Sequence, residues 1–128
     1  MKAFLKYSIL VLFILFSISC KKDLSIYDQI IGNWEWINTV SPWTGIEENP
    51  QTEGYSLTLE FLDNGIMKEY KNNDLQNNLT YSIEPSNSMP GYYILNNSFN
   101  SSPFQIIRDT LIFNAAYVDG PVTKYHRK

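Results

Sequence analysis

Apolar and polar residues follow three different patterns along this chain of 128 residues. Residues 9–16 (ILVLFILF) are continuously apolar, and residues 24–31 (LSIYDQII) place apolar side chains at helical spacing. From residue 33 onward, apolar and polar residues alternate, which puts successive side chains on opposite faces of a β-strand. The pattern therefore predicts a short helix followed by an all-β domain.

The β-rich part divides into eight short runs bounded by Gly, Pro, Asn, Asp and Ser. These runs cover residues 33–40, 55–62, 66–71, 79–84, 92–97, 104–108, 110–118 and 122–127. Pro85, Pro90 and Pro103 fall between them, where a missing backbone N–H does no harm. Short connections at regular spacing favour a single antiparallel sheet that forms a barrel or a sandwich.

The turn sequence Asp63-Asn64-Gly65 predicts the register of one hairpin. A three-residue loop with a bulge sets Glu60 opposite Lys68, whereas a two-residue turn sets Glu60 opposite Glu69. Opposite charges across a strand pair stabilise it and like charges destabilise it, each by up to about 1 kcal/mol. We therefore expect the three-residue loop. Glu69 then faces inward, which indicates a different register, a position at the barrel mouth, or a polar group in a pocket.

Two segments outside the strands have distinct patterns. Ser25 and Asp28 resemble a capping box, which predicts one short helix ending at Gly32, and no second helix is expected. Residues 41–54 (SPWTGIEENPQTEG) form a long connection that carries Trp43. Loops of this length are usually functional or mobile.

The amino terminus has the order of a secretion signal. Lys2 and Lys6 precede the apolar run 9–16, and small residues then lead to Cys20. A helix that spans a membrane needs about 20 apolar residues, so this run favours a signal peptide over a permanent span.

The stretch FSISC (16–20) resembles the lipobox of bacterial lipoproteins, with Ser17 where a leucine is usual, as in lipoproteins of the Bacteroidota. The resemblance implies that the Cys20 thiol receives a diacylglycerol and that cleavage follows just before Cys20, so that palmitate-type chains anchor the protein to the outer membrane of the cell envelope. Residues 1–19 would then be the helical signal peptide, 20–27 a lipidated tether and 28–128 the folded domain. An ordinary secretion signal with an incidental cysteine is the alternative.

The composition of the mature chain argues against several classes of partner and of active site. Without Lys2 and Lys6, eight basic residues stand against thirteen acidic ones, a net charge of −5, and the acids are scattered. We expect no nucleic-acid partner, because phosphate binding needs a clustered basic face. The only cysteine is the acylated one and His126 is the only histidine, so we expect no catalytic residue, no metal site and no cofactor.

The sequence GNW (32–34) opens the first strand and is similar to the G-x-W signature of lipocalins and of small lipocalin-like domains in Bacteroidota lipoproteins. The resemblance implies an up-and-down, eight-stranded barrel in which Arg127 packs over the ring of Trp34 and closes one end. Such a barrel holds a small apolar ligand. The T-D-Y element that lipocalins carry before their seventh strand is absent.

Two interpretations of the barrel interior remain open. A pocket would use Trp36 as a wall residue, Trp43 as a lid and Glu69 as an inward polar group. A filled core would instead make the domain a non-enzymatic module that binds an envelope protein, because side chains alone can fill an eight-stranded barrel. The motif DTL (109–111) also resembles the O-glycosylation signal of the Bacteroidota, with the sugar on Thr110.

Overall fold

A computed structural model describes residues 23–128 of the chain, so the signal peptide and Cys20 lie outside the described residues. The helices are α1 (Ile26–Ile30) and α2 (Pro50–Glu53), with a 3₁₀ turn at Ala116–Val118. The strands are β1 (Gly32–Val40), β2 (Glu47–Glu48), β3 (Leu57–Phe61), β4 (Ile66–Lys71), β5 (Asp74–Pro85), β6 (Tyr93–Asn97), β7 (Ser101–Ile107), β8 (Thr110–Asn114) and β9 (Val122–Arg127).

Eight strands, β1 and β3 to β9, form a closed antiparallel barrel. Each pairs with the next along the chain, and β9 pairs with β1 to complete the circle. The two-residue strand β2 pairs only with the end of β1, at Thr39 and Val40. The prediction of an eight-stranded up-and-down barrel preceded by a short helix is confirmed.

The two ends of the barrel differ. We call the end that carries α1 the closed end; its strand connections are residues 62–65, 86–92 and 108–109. The other end, which we call the open end, carries the connections 41–56, 72–73, 98–100 and 115–121. The chain therefore enters the barrel at its closed end.

Large side chains fill the closed half of the barrel. Phe61 and Tyr81 meet edge to face with ring centroids 5.2 Å apart, and Phe104 is fully buried. The core comprises Ile30, Trp34, Trp36, Leu59, Phe61, Met67, Tyr81, Leu95, Phe104, Leu111 and Tyr125. These residues and all eight strands of the closed barrel lie within residues 23–128.

Helix α1 begins at Ile26, inside the stretch 20–27 that the sequence analysis assigned to the tether. The Ser25 hydroxyl accepts a hydrogen bond from the Asp28 backbone N–H, which caps the helix. The Tyr27 hydroxyl donates to the backbone oxygen of Ile83 and accepts from its N–H, at 3.1 and 2.9 Å. These bonds fasten the helix to β5 across the closed end.

The hairpin between β3 and β4 has the predicted register. Glu60 pairs with Lys68 and Phe61 pairs with Met67, across a loop in which Gly65 has φ of +79°. The three-residue loop expected from the charge pairs is therefore confirmed, and Glu69 lies opposite Leu59 on the inner face.

The long connection 41–54 contains two elements that the sequence analysis missed. Residues 47–48 form β2, and α2 follows directly. The side chain of Asn49 accepts hydrogen bonds from the backbone N–H groups of Gln51 and Thr52, and Thr52 completes a capping box. The expectation of a single helix was therefore wrong, because a four-residue helix set by its caps has no apolar periodicity.

Three strand boundaries differ from the prediction by three residues or more, and the other differences are of one or two residues. Strand β5 begins at Asp74 rather than at residue 79. Asn72 and Asn73, with φ of 51° and 66°, form the tight turn before it, and this turn was not predicted because the residues that follow it are polar. Strand β7 begins at Ser101 and includes a buried Pro103 paired with Ile94. Strand β8 ends at Asn114, before the 3₁₀ turn.

Candidate functional site

A cavity of about 200 Å³ occupies the open half of the barrel. Six strands and one turn contribute side chains that point inward, because alternate residues of each strand face the interior. The lining residues are Leu59, Met67, Glu69, Leu95, Asn97, Asn100, Ser102, Phe113, Thr123 and Tyr125. The barrel is thus filled at its closed end and hollow at its open end, between the two interpretations that the sequence left open.

Glu69 is the one acidic or basic residue among these ten. It pairs with Asn77 across β4 and β5, beside a register shift, and the Asn77 side-chain amide donates to its Oε2 at 2.7 Å. Within residues 23–128, no lysine, arginine or histidine forms a salt bridge with it. The observed register excludes the first interpretation of Glu69, and its position in the open half of β4 fits both a place near the barrel mouth and a polar group in a pocket.

Tyr125 forms another part of the cavity wall. Its side chain is buried, and burial raises the pKa of the phenol above its ordinary value of 10.0, with a smaller contribution from the negative charge of Glu69. Its hydroxyl makes no hydrogen bond to any other residue between 23 and 128, yet it is not sealed from solvent. The hydroxyl is therefore free to bind a molecule in the cavity.

Amides and hydroxyls lie nearer the mouth. The side-chain oxygen of Asn97 accepts hydrogen bonds from the backbone N–H groups of Phe99 and Asn100, which shapes the turn between β6 and β7. Thr123 shares a hydrogen bond of 3.1 Å with Thr39. Ser102 makes only a long contact of 3.5 Å with Asn100, so its hydroxyl is available to a ligand.

The two tryptophans proposed for a pocket lie elsewhere. Trp36 is buried in the core, stacks on Tyr55 at 5.7 Å and donates from its indole N–H to the Thr39 hydroxyl at 3.0 Å. Trp43 lies in a connection at the open end, and its side chain is 73% exposed. Neither indole is among the side chains that line the cavity.

Arg127 and Trp34 meet at the closed end. The guanidinium carbon lies 4.3 Å from the centroid of the indole, and the group donates to the backbone oxygens of Ile31, at 2.9 Å, and Gln29. The indole N–H of Trp34 in turn donates to the backbone oxygen of Ile30 at 2.7 Å. The arrangement closes this end of the barrel with the helix, the first strand and the last strand.

The remaining predicted residues lie away from the cavity. Thr110 is half-buried at the first position of β8, at the closed end. His126 lies on the outer face, with its Nε2 3.4 Å from the carboxylate of Glu35. The lipidation site, Cys20, is outside the described residues.

The open end also carries exposed apolar side chains on each of its larger connections. Trp43 and Phe99 are each 73% exposed. In these connections they are Trp43, Ile46, Phe99, Tyr117 and Val118, and Leu75 lies at the second residue of β5. These side chains lie at the same end of the barrel as the cavity, whose lining is mixed in polarity.

Sequence reasoning found Glu69 but missed most of the lining. Phe113 and Tyr125 could have been found from the sequence, because alternation within β8 and β9 places both on the inner face with Leu111. Asn97 and Ser102 could not have been found in this way, because polar residues near strand ends are typical of solvated turns.

Two searches of residues 23–128 gave negative results. No group of three or more His, Cys, Asp or Glu side chains is placed to hold a metal ion in this segment. None of the helices between residues 23 and 128 is long and apolar enough to cross a membrane.

Comparison with known proteins identifies no family. No protein-family model, no curated protein and no solved structure matches the chain. The function therefore has to be argued from the site.

Proposed function

We propose that this chain is a lipid-anchored protein of the bacterial cell envelope, tethered to the outer membrane through Cys20, whose barrel binds a small molecule at its open end. The observation that carries the proposal is the half-hollow barrel. A core that only stabilised the fold would be packed throughout, since protein interiors are as dense as organic crystals. Here the core reaches the cavity wall at Leu59, Met67, Leu95 and Tyr125, and a cavity of about 200 Å³ remains between these side chains and the open end.

The cavity limits the size of the ligand. Sites for drug-sized molecules are usually about 300–1,000 Å³, whereas a cavity of about 150 Å³ holds benzene. A volume of about 200 Å³ therefore suits a molecule of roughly ten non-hydrogen atoms. The long apolar ligand of a typical lipocalin is too large for this space.

The side chains that line the cavity limit the chemical groups that a ligand can carry. Leu59, Leu95 and Phe113 offer apolar contacts, while Glu69 and Ser102 offer hydrogen-bonding groups in the same space. Small-molecule sites typically combine an apolar wall with a few polar groups that fix orientation. The ligand that fits has a compact apolar body and at least one polar group.

The direction of the chain supports a tethered binding protein. The described chain starts with Asp23 at the closed end, next to α1, and the mouth lies at the opposite end. An anchor at Cys20, three residues before Asp23, would attach the closed end to the bilayer and leave the mouth facing away from it. Ligand could then enter from the aqueous side.

A second function is favoured by the exposed apolar side chains at the open end. Trp43 and Phe99 project from different connections and are largely exposed. Exposed apolar groups at one end of a domain are typical of a protein-interaction surface. In this alternative the open end contacts an envelope protein, and the cavity stays empty.

Native mass spectrometry of residues 21–128, purified from its own host, distinguishes the two functions. The small-molecule proposal predicts a bound species of about 100–200 Da, the mass of roughly ten non-hydrogen atoms. The protein must lose this mass on unfolding. Repeated recovery of the bare chain, together with a stable complex with another protein, would support the alternative instead.

A further inference from the structure

We infer that the cavity recognises a small organic cation, a primary amine attached to a compact apolar or aromatic body. The inference rests on the proposed function, because it names the ligand class of the same cavity. Glu69 and two aromatic rings that line the same cavity carry the argument.

The charge inside the cavity is of one sign. Glu69 is negatively charged, and none of the ten lining residues is basic. Its Oε2 accepts one hydrogen bond from Asn77, and no donor between residues 23 and 128 contacts Oε1. A carboxylate held in a partly apolar space is stabilised by a cation that replaces lost water. An ammonium group at Oε1 would supply that cation.

Two aromatic rings line the same cavity as Glu69. Phe113 and Tyr125 pack edge to face, with ring centroids 6.0 Å apart, and both line the cavity. A cation near an aromatic face is attracted by the ring quadrupole. The same rings, with the side chains of Leu59 and Leu95, would cover the apolar body of the ligand.

Anions fit the cavity poorly. A carboxylate ligand would meet the charge of Glu69 with no basic lining residue to offset it. The donors available are the hydroxyls of Ser102 and Tyr125 and the amide of Asn100, which suit a neutral oxygen. We therefore expect that, of three ligands with the same apolar body, the amine binds most tightly, the alcohol less tightly and the carboxylate most weakly.

Glu69 could also serve only the fold, by holding the bulge between β4 and β5 through Asn77. The variant Glu69→Gln separates this role from ligand binding. It keeps a side-chain oxygen that can accept the Asn77 hydrogen bond, and it removes the charge. Glu60→Gln on the outer face of the neighbouring strand is the matched control.

The test uses residues 21–128 and three probes that share a phenyl ring and differ in their polar group: benzylamine, benzyl alcohol and benzoate. Amide NMR shifts of the cavity residues report both the site and the affinity at pH 7. We expect benzylamine to bind at least about tenfold more tightly than benzyl alcohol, and benzoate to bind most weakly. Glu69→Gln should remove this preference, whereas Glu60→Gln should retain it.

Failure of the amine assignment can be distinguished from failure of the proposed function. If benzyl alcohol binds in the cavity as tightly as benzylamine, or if Glu69→Gln leaves the preference intact, the amine assignment is wrong while small-molecule binding stands. If none of the three probes shifts the resonances of the lining residues, and native mass spectrometry finds only the bare chain, both the amine assignment and the proposed function are overturned.

Discussion

The guanidinium of Arg127 covers the indole of Trp34 at 4.3 Å, so the last strand closes over the first residues of the barrel. Arg127 also donates to the backbone oxygens of Gln29 and Ile31, at the end of α1. One side chain therefore joins the helix, the first strand and the last strand. Gly32 makes room for it, because a Cβ there would lie 3.2 Å from Nη1 of Arg127.

This contact predicts the cost of losing the guanidinium. Arg127→Met should lower the free energy of unfolding by about 2–4 kcal/mol, because it removes the contact with the ring and two charge-assisted hydrogen bonds. Lys124→Met, on the exposed face of the same strand, is the control and should cost less than about 0.5 kcal/mol. Urea unfolding measures both, and equal losses would show that the closing contact contributes nothing specific.

The raised pKa of Tyr125 predicts a loss of stability in alkali. The folded protein keeps the phenol proton to a higher pH than the unfolded chain does, so the folded state holds more protons above pH 10.0. The free energy of unfolding should therefore fall as pH rises above this value, by up to about 1.4 kcal/mol per pH unit from this group.

Tyr125→Phe tests this assignment. The variant should match the wild type near neutral pH and lose less stability above pH 10.0, since the hydroxyl makes no hydrogen bond within residues 23–128. Tyr70 and Tyr81, whose pKa values are also raised by burial, are present in both proteins and cancel in the comparison. Urea unfolding between about pH 8 and pH 11 gives the two slopes. Identical slopes would mean that Tyr125 is not the group responsible.

Trp43 remains the predicted lid, although its indole is exposed in this conformation. If it folds over an occupied cavity, Trp43→Ala should weaken benzylamine binding by about three- to tenfold and change stability by less than about 0.5 kcal/mol. Phe99→Ala is the matched control, with the same 73% exposure at the same end. Equal affinities for wild type and Trp43→Ala, measured by the same NMR titration, would exclude a lid.

The proposed lipid anchor predicts where the protein is found. If acyl chains at Cys20 attach the protein to the bilayer, Cys20→Ala should move it from the membrane fraction to the soluble fraction. Ser19→Ala keeps a small residue before the cysteine and should leave the protein in the membrane fraction. A Cys20→Ala protein that still sediments with membranes would place the anchor elsewhere.

Alternation and turn residues predicted an antiparallel all-β domain because they act locally, and the resemblance of residues 32–34 to the lipocalin signature implied the eight-stranded barrel. The turn at residues 63–65 and the charge pair Glu60 and Lys68 were enough to set one register, and this register placed Glu69 inside. The Asn72-Asn73 turn was missed because the residues after it are polar, although they continue β5. Pro103 was taken as a boundary, whereas the strand runs through it.

The cavity could not be predicted from the sequence in the same way. Its volume depends on how far the side chains of the closed half extend along the barrel, which is a property of packing between distant strands. Trp36 illustrates the difficulty: alternation places it inward, but its ring stacks on Tyr55 and not against the cavity. Inward direction alone does not separate core from wall.

Two adjacent serines of β7 allow the most direct test of the central claim, that the open half of the barrel is a binding cavity. Ser102 lines the cavity and Ser101 is exposed on the outer face. Ser102→Phe should fill the cavity and abolish benzylamine binding, and also any co-purifying mass, in a protein that still unfolds cooperatively. Ser101→Phe adds the same ring outside and should bind like the wild type. Undiminished binding by a folded Ser102→Phe protein would contradict the account.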